Sequence, residues 1–310
     1  MDALSIIACG AAGTAVGAWV RVATRDAVVA RGVASWRSTL TVNLVGSALA
    51  GALVTVATDT AAHALVVAGF LGGLTTFSSM AVECVALWLA GKRRVATGIM
   101  CATVGLGPVA AWVGALVVGA LATPTPAVKA CAAAAKLGTT PDPSRRVPHH
   151  AVGLALVAAG AVAGGVLRAG TTTLFRDAGG AAWQAVLLMN IVGGAVAGFA
   201  FRYLNAVGPD GAPLQSSVKR LTIERTVILG FAGGMTSLSA ISMDVVIASD
   251  RSLLEAVEIG FAHLALGLPA TIGGWWLASK LCPHRPTWEK IVAPPCTHRG
   301  ERHAGGLRVP

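Results

Sequence analysis

A chain of 310 residues that is 55% hydrophobic, 12% charged and +0.70 in mean hydropathy is far from the composition of a soluble globular domain and has that of a polytopic membrane protein. A net charge of +10 would suit nucleic-acid binding, but the basic residues sit in short loops and tails between apolar stretches, as membrane topology requires, which argues against a nucleic-acid partner and for a lipid bilayer. The cysteines are scattered, with Cys9, Cys84 and Cys101 inside apolar stretches, where they read as small packing residues and not as a disulfide framework.

In chain order, the first span is expected at 3–20, "ALSIIACGAAGTAVGAWV", uncharged and near the roughly 20 residues a bilayer takes. Met1-Asp2 supplies no basic leader, so this stretch reads as a retained helix and not a cleaved signal. Further spans are expected at 38–58, 64–91 and 95–122, then at 151–167, 178–201, 226–249 and 259–279. Between the two groups of four, 123–150 is rich in Pro and polar residues and reads as a linker. The tail, 283–310, is basic and Pro-rich. The expected fold is an all-α membrane protein of two four-span units, 1–122 and 151–282.

The units repeat each other. Gly13-x-x-x-Gly17-Ala-Trp-Val-Arg21 returns as Gly160-x-x-x-Gly164-Gly-Val-Leu-Arg168, and Thr41-Val-Asn43-Leu-Val-Gly46 as Leu188-Met-Asn190-Ile-Val-Gly193, both offset by 147 residues. "GFLGGLTTFSSM" (69–80) returns as "GFAGGMTSLSAI" (230–241), offset by 161. One unit has been duplicated, a common plan among membrane transporters and channels.

The repeated polar residues are the candidates for function. Arg21 and Arg168 each close the first expected span of a unit; an arginine there either snorkels and sets orientation or serves a site inside the protein. Asn43 and Asn190 fall mid-span, where an amide either bonds a neighbouring helix or offers its NH₂ to a passing anion. Gly72-Gly73, followed by Thr75, Thr76, Ser78 and Ser79, is expected to break the third span at Gly-Gly. Irregular backbone at that depth is tolerated only when buried in protein or lining a cavity. Freed carbonyls suit a cation, while hydroxyls and half-helix N-termini suit an anion.

Together, "GxxxGAxxR", "STLTVNLVGS" and "GFLGGLTTFS" closely resemble the Fluc-type (CrcB) fluoride channels, and the second unit carries a weaker version of each. The resemblance covers nearly all of 3–122 and 151–281. It implies four-helix units paired in antiparallel fashion, two narrow fluoride pores and a structural Na⁺ at the centre. By that resemblance, Na⁺ is assigned to the main-chain carbonyls of Gly72, Thr75, Gly233 and Thr236. Asn43, Asn190 and Thr39 would line the pores as donors, and Phe77 would present a ring edge to the anion, alongside Ser78 and Ser239. Arg21 and Arg168 would stand at the mouths or in the fold. The second phenylalanine position of the family is Met80, and the second unit has Leu238 and Ile241 at the two positions; Val186 stands opposite Thr39. If each pore takes one aromatic position from each half, neither has a pair. The family's fourth-span tyrosine is unmatched, since Tyr203 ends the sixth span.

Charge bias makes the two units antiparallel: Arg25, Arg31, Arg37 and Lys92-Arg93-Arg94 flank one set of loops in the first unit, and Arg202, Lys219, Arg220 and Arg225 the other set in the second. Four spans return a chain to its starting side, so inversion requires one more crossing, for which the linker offers only 127–137. The alternative is parallel halves, with two chains pairing. The expected function is a passive, multi-pass plasma-membrane channel that exports fluoride, and no enzyme constellation competes with it. One rival is a coupled carrier using Glu83 and Asp244, each six residues after Phe77 or Leu238; another is a silent partner subunit. Cys282, His284, Cys296 and His298 in the tail form a ligand set zinc accepts, at a spacing that matches no known finger.

Overall fold

The computed structural model describes residues 2–54, 60–121, 149–207 and 212–282. The expected linker with its crossing at 127–137, and the tail with three of its four Cys and His residues, therefore lie outside the described residues. The described chain is helical: α1 (Ala3–Ala30), α2 (Ser35–Val54), α3 (60–74), α4 (Phe77–Leu89), α5 (Arg93–Leu121), α6 (His149–Asp177), α7 (Ala182–Leu204), α8 (217–235), α9 (Leu238–Ser249) and α10 (Leu253–Leu281). Taking α3 with α4 and α8 with α9, seven helices are long and apolar enough to cross a membrane. The eighth, α2, has 20 residues, about 30 Å of helix, but carries Arg37, Thr39, Thr41, Asn43 and Ser47 and is correspondingly less apolar.

Two expected boundaries move for one reason. The spans read at 3–20 and 151–167 were ended before an arginine, yet the helices run on to Ala30 and Asp177. Arg21 and Arg168 are 4% and 8% exposed, so each is sheltered by protein and its helix continues past it.

Small residues set the packing within each unit. A Cβ on Gly13 or Gly17 of α1 would run into the carbonyls of Leu65 or Phe70 on α3, and one on Gly160 or Gly164 of α6 into those of Thr226 or Phe231 on α8. Glycines there let two backbones touch, which is how helices associate where lipid removes the hydrophobic incentive. The same device joins α2 to α5, where Gly51 meets Ala111, and α7 to α10, where Gly198 meets Thr271.

The units meet along α1 and α6. Gly10 faces Ala169 and Thr14 faces Gly165, so rising numbers on α1 meet falling numbers on α6, the pairing of antiparallel helices. At one end of this contact Arg225 of α8 grips Asp26 of α1 through both carboxylate oxygens, at 2.6 and 3.2 Å.

Candidate ion pathway at the paired helix breaks

The third span of each unit is interrupted, and the interruption is later than the glycine pair suggests. His63–Leu71 and Glu224–Ala232 are π-helical. Gly72–Leu74 and Gly233–Met235 then form one α-helical turn. The chain leaves the helix at Thr75 and Thr76, φ/ψ −92/150 and −148/130, and at Thr236 and Ser237, −97/148 and −144/133. The glycines serve close approach instead. A Cβ on Gly72 would lie 2.5 Å from Nη2 of Arg168, and one on Gly233 would strike Nη2 of Arg21.

The two breaks face each other at the core. Thr75 Oγ1 lies 2.8 Å from Ser239 Oγ and accepts from Ser239 N at 3.1 Å. The mirror set has Thr236 Oγ1 donating to Ser78 Oγ at 2.9 Å and accepting from Ser78 N at 3.1 Å. Thr76 and Thr236 hydroxyls close the ring at 3.2 Å. Ser78 and Ser239 thus sit in a hydroxyl cluster that staples one unit to the other.

Both arginines are buried and reach across to the other unit. Arg21 donates to Gly73 O, Ser79 Oγ and, in the other unit, Leu229 O, at 3.1, 3.2 and 2.8 Å. Arg168 crosses the other way, to Gly72 O at 2.9 Å, Ala68 O at 2.7 Å and Thr14 Oγ1 at 3.0 Å. The carbonyls near a half-helix C-terminus have no helical partner, and a guanidinium satisfies several at once while opposing the negative end of the helix dipole.

The two asparagines differ. Both are fully buried. Asn43 holds Thr76 at two points, accepting from its N–H at 2.9 Å and donating to its carbonyl at 3.1 Å. Asn190 accepts from Ser237 N at 3.1 Å, but its Nδ2 has no partner among the described residues. A buried N–H₂ left open is costly unless something else accepts from it.

Phe77, Met80, Leu238, Ile241 and Val186 share one buried apolar cluster. The Phe77 ring edge lies on Gly267 of α10 in the other unit, where a Cβ would come within 2.6 Å of Cε1 and Cζ. Leu238 takes the corresponding place on α5, 3.7 Å from a Cβ on Gly107. Thr39 is buried and bonds locally, to Ser35 O at 3.4 Å.

Three features escaped the reading of motifs. Ser47 and Ser242 meet across the units at 3.0 Å. Thr14, fully buried, receives Arg168. Glu83 and Asp244, already singled out by their place in the repeat, bury Oε2 and Oδ2 with no hydrogen-bond partner among the described residues. On the fourth spans, His263, Gly267 and Thr271 stand 160 residues after Thr103, Gly107 and Ala111; their spacing of four, repeated in both units, is a signal the sequence contained.

For the implied Na⁺, main-chain oxygen is the hard donor such an ion takes. The Thr75 and Thr236 carbonyls, in extended backbone, accept no hydrogen bond among the described residues and fit that role. Gly72 O already accepts from Arg168, so it has only its second lone pair to offer.

Comparison with known proteins matches the repeat. A family model described as "CrcB-like protein, Camphor Resistance (CrcB)" matches twice, over residues 8–115 and 155–275. The fluoride-specific ion channel FluC of Gloeobacter violaceus is 32% identical over 131 residues, which cover 39% of this chain and 98% of that protein. FluC of Pseudomonas putida is 36% identical over 117 residues, 36% of this chain and 94% of the relative. FluC of Ralstonia pickettii is 42% identical over 101 residues, 31% of this chain and 79% of the relative. Each relative is thus about one unit long. No solved structure matches at the same stringency.

Proposed function

The chain belongs to the CrcB-like family, and on that premise we propose that this multi-pass membrane protein is a passive, fluoride-selective channel that lets the anion leave the cytoplasm down its electrochemical gradient. The observation that carries the proposal is Asn190: a fully buried amide in contact with the helix break, whose Nδ2 finds no acceptor among the described residues. Fluoride is small and strongly hydrated, so a pore must replace its water with close donors while excluding larger anions. Asn190, Asn43, Thr39 and the positive ring edge of Phe77 are donors of that kind. An interior-negative potential then drives export, at about 2.3 kcal/mol per charge for about 100 mV.

The proposal includes the assembly. The units are inverted relative to each other within one chain, which is supported by the descending pairing of α1 with α6 and by the reciprocal bonds of Thr75 with Ser239 and Thr236 with Ser78. Inversion requires the chain to change sides between 121 and 149, the task expected of 127–137. A structural Na⁺ at the centre is held by carbonyls of Thr75 and Thr236, with Gly72 and Gly233 contributing.

Purified protein in liposomes, assayed for fluoride and chloride efflux with Asn43→Asp and Asn190→Asp variants, tests this reading. Fast fluoride flux with little chloride, lost in at least one variant, supports it. No fluoride flux from folded protein rejects it and leaves the silent-partner account.

A second reading rests on Glu83 and Asp244, which occupy the same place in each repeat and each bury one carboxylate oxygen that has no partner among the described residues. A proton- or cation-coupled carrier would lose transport when both are neutralised, whereas a passive pore would keep conducting.

A further inference from the structure

The fourth span of the second unit presents a buried polar face that the roles above leave unused. On α10, His263, Gly267 and Thr271 are all buried, His263 and Thr271 completely. This face looks inward. Gly267 lies under the Phe77 ring, and Thr271 Oγ1 would be 2.6 Å from a Cβ on Gly194 of α7, one turn after Asn190.

The imidazole of His263 has a fixed orientation. Its Nδ1 is 2.9 Å from the carbonyl of Ile259, and its Nε2 is buried with no partner among the described residues. A carbonyl only accepts, so Nδ1 carries a hydrogen. In the neutral ring Nε2 then has a lone pair and no proton, and presents negative density to anything beside it. Protonation reverses this, giving an N–H donor and a full positive charge. The first unit has Thr103 at the equivalent place, fully buried, its Oγ1 without a partner among the described residues, and a hydroxyl can rotate to donate at any pH.

We propose that His263 lines the fluoride path of the second unit beside Asn190, and that Nε2 must be protonated before the anion can pass. The inference rests on the fluoride-channel reading and adds an acid-dependent gate to it. Conduction through this path is present at low pH and is lost as pH rises through the titration of the imidazole.

The titratable groups on the elements packed against α10 are Asp244 on α9, Glu83 and Cys84 on α4, and Arg202 and Tyr203 on α7, where Tyr203 bonds Lys219; α10 itself carries Glu255, Glu258 and Lys280. Cys84 is directed to Met80 and Ala96, Glu255 pairs with Arg251, and Arg202 reaches Cys282 O. None forms a hydrogen bond or ion pair with His263. Asp244 is the acid that follows the same hairpin, its neighbour Val245 lying 3.7 Å from a Cβ on Gly260, so it is the one other group whose titration could imitate the effect.

The test uses the full chain in liposomes under a K⁺ gradient with valinomycin, so that only charge-carrying fluoride flux registers and HF leakage does not. Flux is measured at symmetric pH in steps from about 7.5 down to about 4.5, a range wide enough to cross the titration of a buried imidazole. The wild type should gain several-fold, up to about tenfold. His263→Gln, which offers an N–H at any pH, should conduct with a flat profile. Asn190→Asp should remove the pH-dependent component and spare any flux through the first unit.

Measurable fluoride flux that is flat with pH in the wild type overturns the gate and leaves the channel intact. A pH profile unchanged in His263→Gln and abolished in Asp244→Asn also overturns it, by assigning the titration to the acid. If His263→Gln does not fold, His263→Asn is read in its place by the same criteria. Absence of flux at every pH from folded protein overturns the channel reading and the gate with it.

Discussion

Arg168 of the second unit donates to the carbonyl of Gly72 in the first at 2.9 Å, and a Cβ placed on Gly72 would lie within 2.8 Å of the carbon and both terminal nitrogens of that guanidinium. The glycine is therefore a seat for a cation from the other unit. Gly72→Ala should push the guanidinium off its carbonyls and cost on the order of 1–3 kcal/mol, as overpacking does. Gly233→Ala should act alike through Arg21. Gly98→Ala, with nothing within 4 Å of its Cβ, should be neutral. Thermal unfolding in detergent, followed by loss of monodispersity, distinguishes the three.

The arginine itself should resist conservative exchange. Arg168 reaches Gly72, Ala68 and Thr14 from two nitrogens, a fork that a lysine ammonium cannot reproduce. Arg168→Lys should recover only part of the stability lost in Arg168→Met. The larger loss, roughly 1–3 kcal/mol for each buried acceptor left unsatisfied, should appear as a lower yield of folded protein.

The asparagines should separate stability from conduction. Asn43 satisfies both the N–H and the carbonyl of Thr76, while Asn190 satisfies only Ser237 N. Asn43→Ala should therefore destabilise by about 1 kcal/mol more than Asn190→Ala, one hydrogen bond's worth. Asn190→Ala should lose only its one bond to Ser237 N, with the smaller melting shift of the two, and show its larger effect in fluoride flux. Equal melting shifts in the two variants would contradict this assignment.

Much of this architecture was legible because the chain repeats itself. Two weak copies of Gly-x-x-x-Gly and of the mid-span asparagine identified the unit, and the glycines do pack α1 on α3 and α6 on α8. What could not be read was partnership across the repeat. A charged residue ends an apolar count whatever it touches, so the windows stopped short of Arg21 and Arg168, although both are buried by carbonyls some 52 to 208 positions away in sequence for Arg21. The break was placed at Gly-Gly because glycine is a poor helix former. The glycines stay helical, and it is Thr75 and Thr76 that turn extended, because their hydroxyls find partners in the other unit and the Thr76 N–H finds one in Asn43. His263 belongs to no motif, and the lack of a partner for its Nε2 among the described residues is a fact of three dimensions.

Asp26 and Arg225 carry a last prediction, about which halves pair. Their side chains are 17% and 15% exposed and joined by two bonds. Nothing like them occurs at the mirror position: Thr173 stands where the repeat would place Asp26, and Ala64 where it would place Arg225. The pair therefore forms only when the first unit meets the second, and a unit facing its own copy would lose it. Asp26→Lys should leave two cations opposed and lower the melting temperature; Arg225→Glu alone should do the same with two carboxylates. Combining the two substitutions restores opposite charges and should recover most of the loss, a coupling of about 1 kcal/mol for a partly exposed pair. Crosslinking through cysteines placed at 26 and 225 should then give a closed monomer and not a dimer, because the two residues that meet belong to one chain. Additive losses in the double variant would contradict the pairing itself, and a crosslinked dimer would show that two chains exchange their units.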